Sequence, residues 1–185
     1  MAAACRSFLA VVLAGLFASG CAPLIREDAA EKYGPHAPII DAYGATERVS
    51  AGRTWRIYLS AKDPDGDMDL VEFELDRPGY VTRDQHTGLD PESARSFVGY
   101  FYLNIPMVTA LKGQELLGSD MALHCRIIDK AGHKSRKITL PFRVVLSQVP
   151  QPVPNDFADK DVRRLGPIMI RFELDHRWGK PFGKV

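Results

Sequence analysis

The chain has 185 residues, with 24 basic and 23 acidic side chains and a formal net charge of +1. No block of basic residues stands out, which excludes the electrostatic footprint of a nucleic-acid-binding protein. Three cysteines leave little room for a disulfide framework.

The chain opens MAAACRSFLAVVLAGLFASGC. One cation, Arg6, precedes an apolar run from Phe8 to Ala18. That run is shorter than the roughly 20 residues of a spanning helix. It matches the length of a signal-peptide core. It ends in Ala18, Ser19, Gly20 and Cys21. This segment resembles the lipobox of bacterial lipoproteins, with Ala18 where that family prefers leucine. The resemblance covers Met1 to Cys21 and implies cleavage before Cys21, with acylation of its sulfur and its new amino terminus. Two or more acyl chains hold a protein stably at a membrane. Ala22 rather than aspartate follows the cysteine, which in the same family implies the outer membrane, facing the periplasm or the cell surface. Cleavage would remove one basic residue and no acid, leaving the mature chain neutral. Cys125 would then have no disulfide partner, and its alternating apolar surroundings predict a buried small hydrophobe.

The predicted organisation is a signal peptide over 1–20, a lipid-anchored tether over 21–36, a β-sandwich over 37–148, and a Pro-rich linker and tail over 149–185. The tether, APLIREDAAEKYGPH after Cys21, carries mixed charge and few large apolar residues. It permits a short helix in REDAAEKY. Beyond it the dominant signal is alternation with period two. In TWRIYLSA, Trp55, Ile57, Leu59 and Ala61 share one face, and Arg56, Tyr58 and Ser60 the other. Val71, Phe73 and Leu75 alternate with Glu72 and Glu74. SFVGYFYLNI is apolar or aromatic on both faces, which predicts a central strand or one with a covered outer face. Met121, Leu123, Cys125 and Ile127 form the next stripe, and Ile138, Leu140, Phe142, Val144 and Leu146 the last. Strands with one wet face favour antiparallel sheets. Pro141 removes a ladder donor, so its strand should be at an edge or bulged there. The expected fold class is therefore all-β: a single antiparallel β-sandwich.

Two phrases sharpen that class. VSAGRTWRIYLSAKDPDGDMDLVEFEL and LHCRIIDKAGHKSRKITLPFRV are similar to the opening and closing strands of bacterial immunoglobulin-like, cadherin-like and polycystic-kidney-disease-type repeats. The match spans roughly Val49 to Val145. It departs from true immunoglobulin domains in lacking their disulfide, in placing Leu123 where a tyrosine is expected, and in carrying Trp55 on the second strand.

After Leu146, Pro150, Pro152 and Pro154 predict a stiff, extended segment. LGPIMIRFELD then reads as one more strand, expected to fold back onto a sheet edge. The alternatives are a disordered tail or a partner-binding peptide, with Trp178 to Val185 as the contact.

In KDPDGDMDL, Asp63, Asp65, Asp67 and Asp69 fall at every second position. An EF-hand is excluded: Met68 occupies the position that needs glycine, and no helices flank the loop. Two readings stay open. Asp-Pro-Asp-Gly is turn chemistry, with Pro64 presetting φ and Gly66 accepting positive φ. Alternatively, the sandwich brings Asp63, Asp65 and Asp67 near Asp129 at one pole, as a Ca2+ site.

No catalytic motif is present in the mature chain. Asp84, His86 and Asp90 share a loop without a nucleophile, and His124 and His133 flank the last hairpin. The expectation is a non-enzymatic envelope protein, membrane-bound through lipid on Cys21. It would present its domain to an envelope protein or glycan. The alternative is a calcium-stabilised adhesion module.

Overall fold

The computed structural model describes residues 27–77, 80–81, 84–107, 116–170 and 172. The signal segment, Cys21 and the tail Trp178–Val185 lie outside the described residues. Among the described residues a short helix, α1 (Glu27–Tyr33), precedes ten strands: β1 (Ile39–Ala45), β2 (Arg48–Ser50), β3 (Thr54–Lys62), β4 (Met68–Arg77), β5 (Tyr80–Val81), β6 (Gln85–Gly88), β7 (Ser96–Asn104), β8 (Asp120–Asp129), β9 (Ile138–Val145) and β10 (Arg163–Pro167). No helix among the described residues is long and apolar enough to cross a membrane.

Two sheets face each other. One has the order β1-β3-β7-β10; the other runs β2-β9-β8-β4-β5, with β6 also pairing β4. The first three strands of one and the β9-β8-β4 run of the other reproduce the A-B-E and G-F-C arrangement of an immunoglobulin-like sandwich. The all-β sandwich is as expected. Antiparallel pairing is not universal, however: β2 joins β9 in parallel and β10 joins β7 in parallel.

The predicted inward stripes meet between the sheets, except at Leu146, which lies just past the end of β9 and is exposed. Trp55, Ile57, Leu59, Val71, Phe73, Phe101, Leu123, Ile127 and Val144 are fully buried. Trp55 stacks on Phe142 at 4.3 Å between ring centroids, and Phe73 meets Phe101 edge-on at 5.2 Å. The Trp55 indole N–H, which burial would otherwise orphan, donates to the Thr46 carbonyl at 3.0 Å. Cys125 is free and buried within this core, and desolvation pushes its thiol pKa up. Pro141 pairs with Ala122 of β8. On its other side β2 reaches only Arg143 to Val145, so the missing N–H faces an open edge, as the proline requires.

The sequence placed Tyr58 and Ser60 on a wet face, yet both are buried. The cause is the proline-rich segment, which does not project as a linker. It crosses the outer face of the smaller sheet. The Val149 N–H donates to Ser50 Oγ at 2.9 Å, Pro154 lies against Gly44, and buried Phe157 packs on Tyr58 at 5.5 Å. Gln151 closes a gap in the sheet. β1 covers β3 only from Ile57 onward. Where it stops, the Gln151 carboxamide accepts from the Arg56 N–H at 3.1 Å and donates to the Thr54 carbonyl at 2.7 Å, in place of a neighbouring strand.

The chain then returns as β10. It occupies Arg163–Pro167, several residues earlier than the stretch of Ile168, Ile170 and Phe172 whose alternation predicted a strand. Ile168 is instead a buried plug whose N–H donates to the Tyr102 carbonyl at 2.8 Å. The close approach depends on Gly99. A Cβ there would stand 2.6 Å from the Arg163 carbonyl oxygen and 2.5 Å from Leu165 Cγ. Gly99→Ala should therefore destabilise the protein by about 1–3 kcal/mol, as overpacking does. Faster amide exchange at residues 163–168 would locate the damage in the β7–β10 seam; uniform protection there would count against it.

Candidate metal centre

The loop after β3 and the loop after β8 lie at one pole of the sandwich. The Lys130 N–H donates to the Asp67 carbonyl at 3.1 Å and ties them together. Gly66 takes φ of 79°, the turn role that its position predicts. Asp63 Oδ1 accepts the Asp65 N–H at 2.9 Å and the Gly66 N–H at 3.3 Å. The turn chemistry therefore uses one carboxylate oxygen of Asp63 and leaves the other for something else.

Asp63, Asp67 and Asp129 each offer a carboxylate oxygen within 4.8 Å of the others. All three residues are buried. Asp63 Oδ2 and both side-chain oxygens of Asp67 are buried without any hydrogen-bond partner. Buried carboxylates without partners are costly. Burial, then the neighbouring Asp129 and Asp63, hold the Asp67 carboxyl above its ordinary pKa. Asp129 is the positioned member. Its Oδ1 accepts the His133 N–H at 2.7 Å, and its Oδ2 lies 3.0 Å from His133 Nδ1.

The donor set is hard and all-oxygen, which suits calcium or magnesium rather than zinc or copper. Calcium–oxygen bonds are about 2.3–2.6 Å, so two ligands across one ion stand no more than about 5 Å apart. The cluster has that dimension. Its orphaned, water-shielded oxygens favour calcium over magnesium, which keeps several of its waters.

Asp65 is not brought to this cluster. It turns outward to the tether, accepting the His36 N–H at 2.7 Å and lying 2.9 Å from His36 Nδ1. Those contacts lower its pKa, the backbone N–H foremost. Two aspartates two residues apart are thus pushed in opposite directions. Asp69 is exposed at a bulge in β4. Two residues to which the sequence assigned no role at the pole support it. His133 orients Asp129 from four positions on. Arg95 Nη1 donates to the Pro64 carbonyl at 3.1 Å, its guanidinium lying against Gly66. The spacing D-K-A-G-H was the only signal for the first; nothing local signalled the second.

The other candidate groups disperse. His86 Nε2 faces Glu72 at 3.5 Å, and His124 Nδ1 bonds Thr139 Oγ1 at 3.0 Å. Glu72 is buried beneath a cross-strand network with Arg126, His86 and Lys134, on the outer face of the larger sheet.

Fold and pole together define an immunoglobulin-like β-sandwich with a buried acidic cluster at one end. No protein-family model matches the chain, and no curated protein sequence matches it. Among solved structures it is similar to the CARDB domain of a Pyrococcus furiosus protein, determined in complex with di-metal ions. Identity is 10% and the TM-score 0.30, over 59% of this chain and 86% of that one. At this level of likeness the comparison identifies neither ligand nor function.

Proposed function

We propose that this protein is a calcium-stabilised, non-catalytic immunoglobulin-like module of a bacterial envelope, anchored through lipid on Cys21. The observation that carries the calcium reading is Asp67: buried, with both carboxylate oxygens unpartnered, and facing two further carboxylates. A divalent cation would neutralise that cluster and satisfy its oxygens. Asp63, Asp67 and Asp129 would hold it, with backbone carbonyls or water completing the shell. The cation's role is structural, because it would tie the β3–β4 loop, where the chain crosses from one sheet to the other, to the end of β8 in the larger sheet.

The anchor reading is supported by the lipobox-like segment ending in Cys21, and the non-catalytic reading by the dispersal of the histidines and the inert thiol of Cys125. Calorimetric titration of the full chain with Ca2+ should show saturable one-site binding that Asp67→Asn abolishes. Heats indistinguishable from dilution would sink the calcium reading. For the anchor, Cys21→Ala should move the protein from the membrane pellet to the soluble fraction, and continued sedimentation would refute lipidation at this residue.

A further inference from the structure

We infer that the outer face of the smaller sheet, at the end away from the acidic pole, is a binding groove for an anionic glycan. This inference rests on the reading of the chain as a non-catalytic presenting module. A groove of about 910 Å3 is bounded by β3, β7, β10 and the strap that begins at Gln148. Among the described residues three arginines line it, Arg53, Arg56 and Arg164, and no acidic residue does. Each arginine is exposed, and among the described residues no carboxylate engages its guanidinium group. In a chain of balanced charge, such a one-signed cleft concentrates anions.

The arginines are also held. The Arg164 guanidinium lies 4.2 Å above the Tyr102 ring and that of Arg56 lies 5.5 Å above Tyr100. Stacking fixes the plane of a guanidinium and leaves its N–H edges free for bidentate contact with a carboxylate, sulfate or phosphate. The backbone beneath is braced by Gln151 across Thr54 and Arg56, and Thr54 Oγ1 donates to Asn104 Oδ1 at 2.9 Å. A preorganised site loses less entropy on binding.

The occupant is a glycan rather than a peptide for two reasons. The stretch of β3 that β1 leaves uncovered, at Thr54 and Arg56, already has its main-chain groups taken by Gln151, so the groove does not offer a peptide strand pairing there. Among the described residues its lining is hydroxyl, carboxamide, phenol and guanidinium, with Val149 the one aliphatic residue, which suits sugar hydroxyls better than peptide side chains. Position argues against the headgroups of the anchoring membrane. The tether enters at the acidic pole, where Ile39 pairs with Lys62, whereas the groove surrounds the Thr54–Asn104 pair at the opposite end of the same strands. Eight strand steps separate the two ends, roughly 25 Å.

The test uses the full lipidated chain in detergent and three probes: oligogalacturonate, uncharged maltohexaose and an oligoglutamate peptide. Calorimetry should show oligogalacturonate binding that weakens with added sodium chloride and is unchanged by EDTA. The double variant Arg56→Gln, Arg164→Gln should weaken it about tenfold or more without changing the melting temperature, since both side chains are exposed. No binding at low salt, equal binding of oligoglutamate, or full binding by the double variant would each overturn the groove. Mass spectrometry of the recovered oligosaccharide separates this outcome from the reading beneath it. Cleaved product would refute the non-catalytic assignment and leave the groove standing.

Discussion

Saturating calcium should raise the melting temperature by about 5–10 °C, and Asp67→Asn should abolish that shift while raising the melting temperature of the calcium-free protein. The size follows from linkage. A ligand at about 100 times its dissociation constant adds about 2.7 kcal/mol, and a chain of this length gains about 2–4 °C for each kcal/mol. The opposite signs follow from the site. Without a cation, Asp67 sets two unpartnered carboxylate oxygens beside Asp63 and Asp129. Asparagine removes one negative charge from that cluster and donates hydrogen bonds to the facing oxygens. It also removes the ligand that calcium needs. A surface turn with no metal would behave otherwise: calcium would do nothing, and Asp67→Asn would be neutral or harmful. Scanning calorimetry on both proteins, with calcium and with EDTA, distinguishes the two patterns.

The same site sets a pH dependence. The folded-state pKa of Asp67 lies above its ordinary value of 3.8, chiefly through burial. The folded calcium-free chain therefore binds this proton more tightly than the unfolded chain. The stability so contributed is complete below the ordinary value and lost as pH rises through the raised one. Asp65, with its lowered pKa, contributes the reverse: stability present above the ordinary value and lost on acidification. Asp67→Asn should remove the first trend and Asp65→Asn the second. Calcium, by displacing the Asp67 proton, should bind more weakly as pH falls.

Phe157→Ala should cost about 3–5 kcal/mol, or roughly 10 °C in melting temperature. Phe157 is buried in the strap, against Tyr58 and beneath Lys160. Its ring is what makes the outer face of β3 a second, small core. The upper end of the range applies if the strap stays in place over a cavity. If it peels away, Tyr58 and Ser60 become exposed, and the loss is limited to what the strap itself contributes. Limited proteolysis separates these cases: new cleavage within residues 148–160 marks peeling, and an unchanged pattern with a lowered melting temperature marks a cavity. No change in either would show that the strap does not stabilise the sheet.

Much of this architecture was legible in local pattern. Alternation named the inward side chains of β3, β8 and β9 and those of β4 from Val71 to Leu75, because a strand half-buried between two sheets repeats with period two. Pro141 announced an open edge, and Pro64 with Gly66 announced the turn. What alternation could not show was which residues cover the other face. SFVGYFYLNI carries aromatics on both faces, and only the folded chain reveals that the outer ones face a strap and a cationic groove rather than bulk water. The parallel edge pairings of β2 and β10 escaped for the same reason: a short edge strand has little periodicity of its own, and its partner is chosen by where the chain returns.

The acidic stretch divides the two kinds of information most clearly. By itself, KDPDGDMDL determines a turn between two strands, and its alternating aspartates offer Asp63, Asp65 and Asp67 as equal candidates. Tertiary structure makes them unequal. Asp69 faces solvent and Asp65 is drawn outward by His36. Asp63 and Asp67 are turned inward to meet Asp129, which is distant in sequence. A carboxylate becomes a candidate ligand when burial deprives it of water and brings other carboxylates close to it. Both conditions depend on how the sheets stack, and neither is written in the loop.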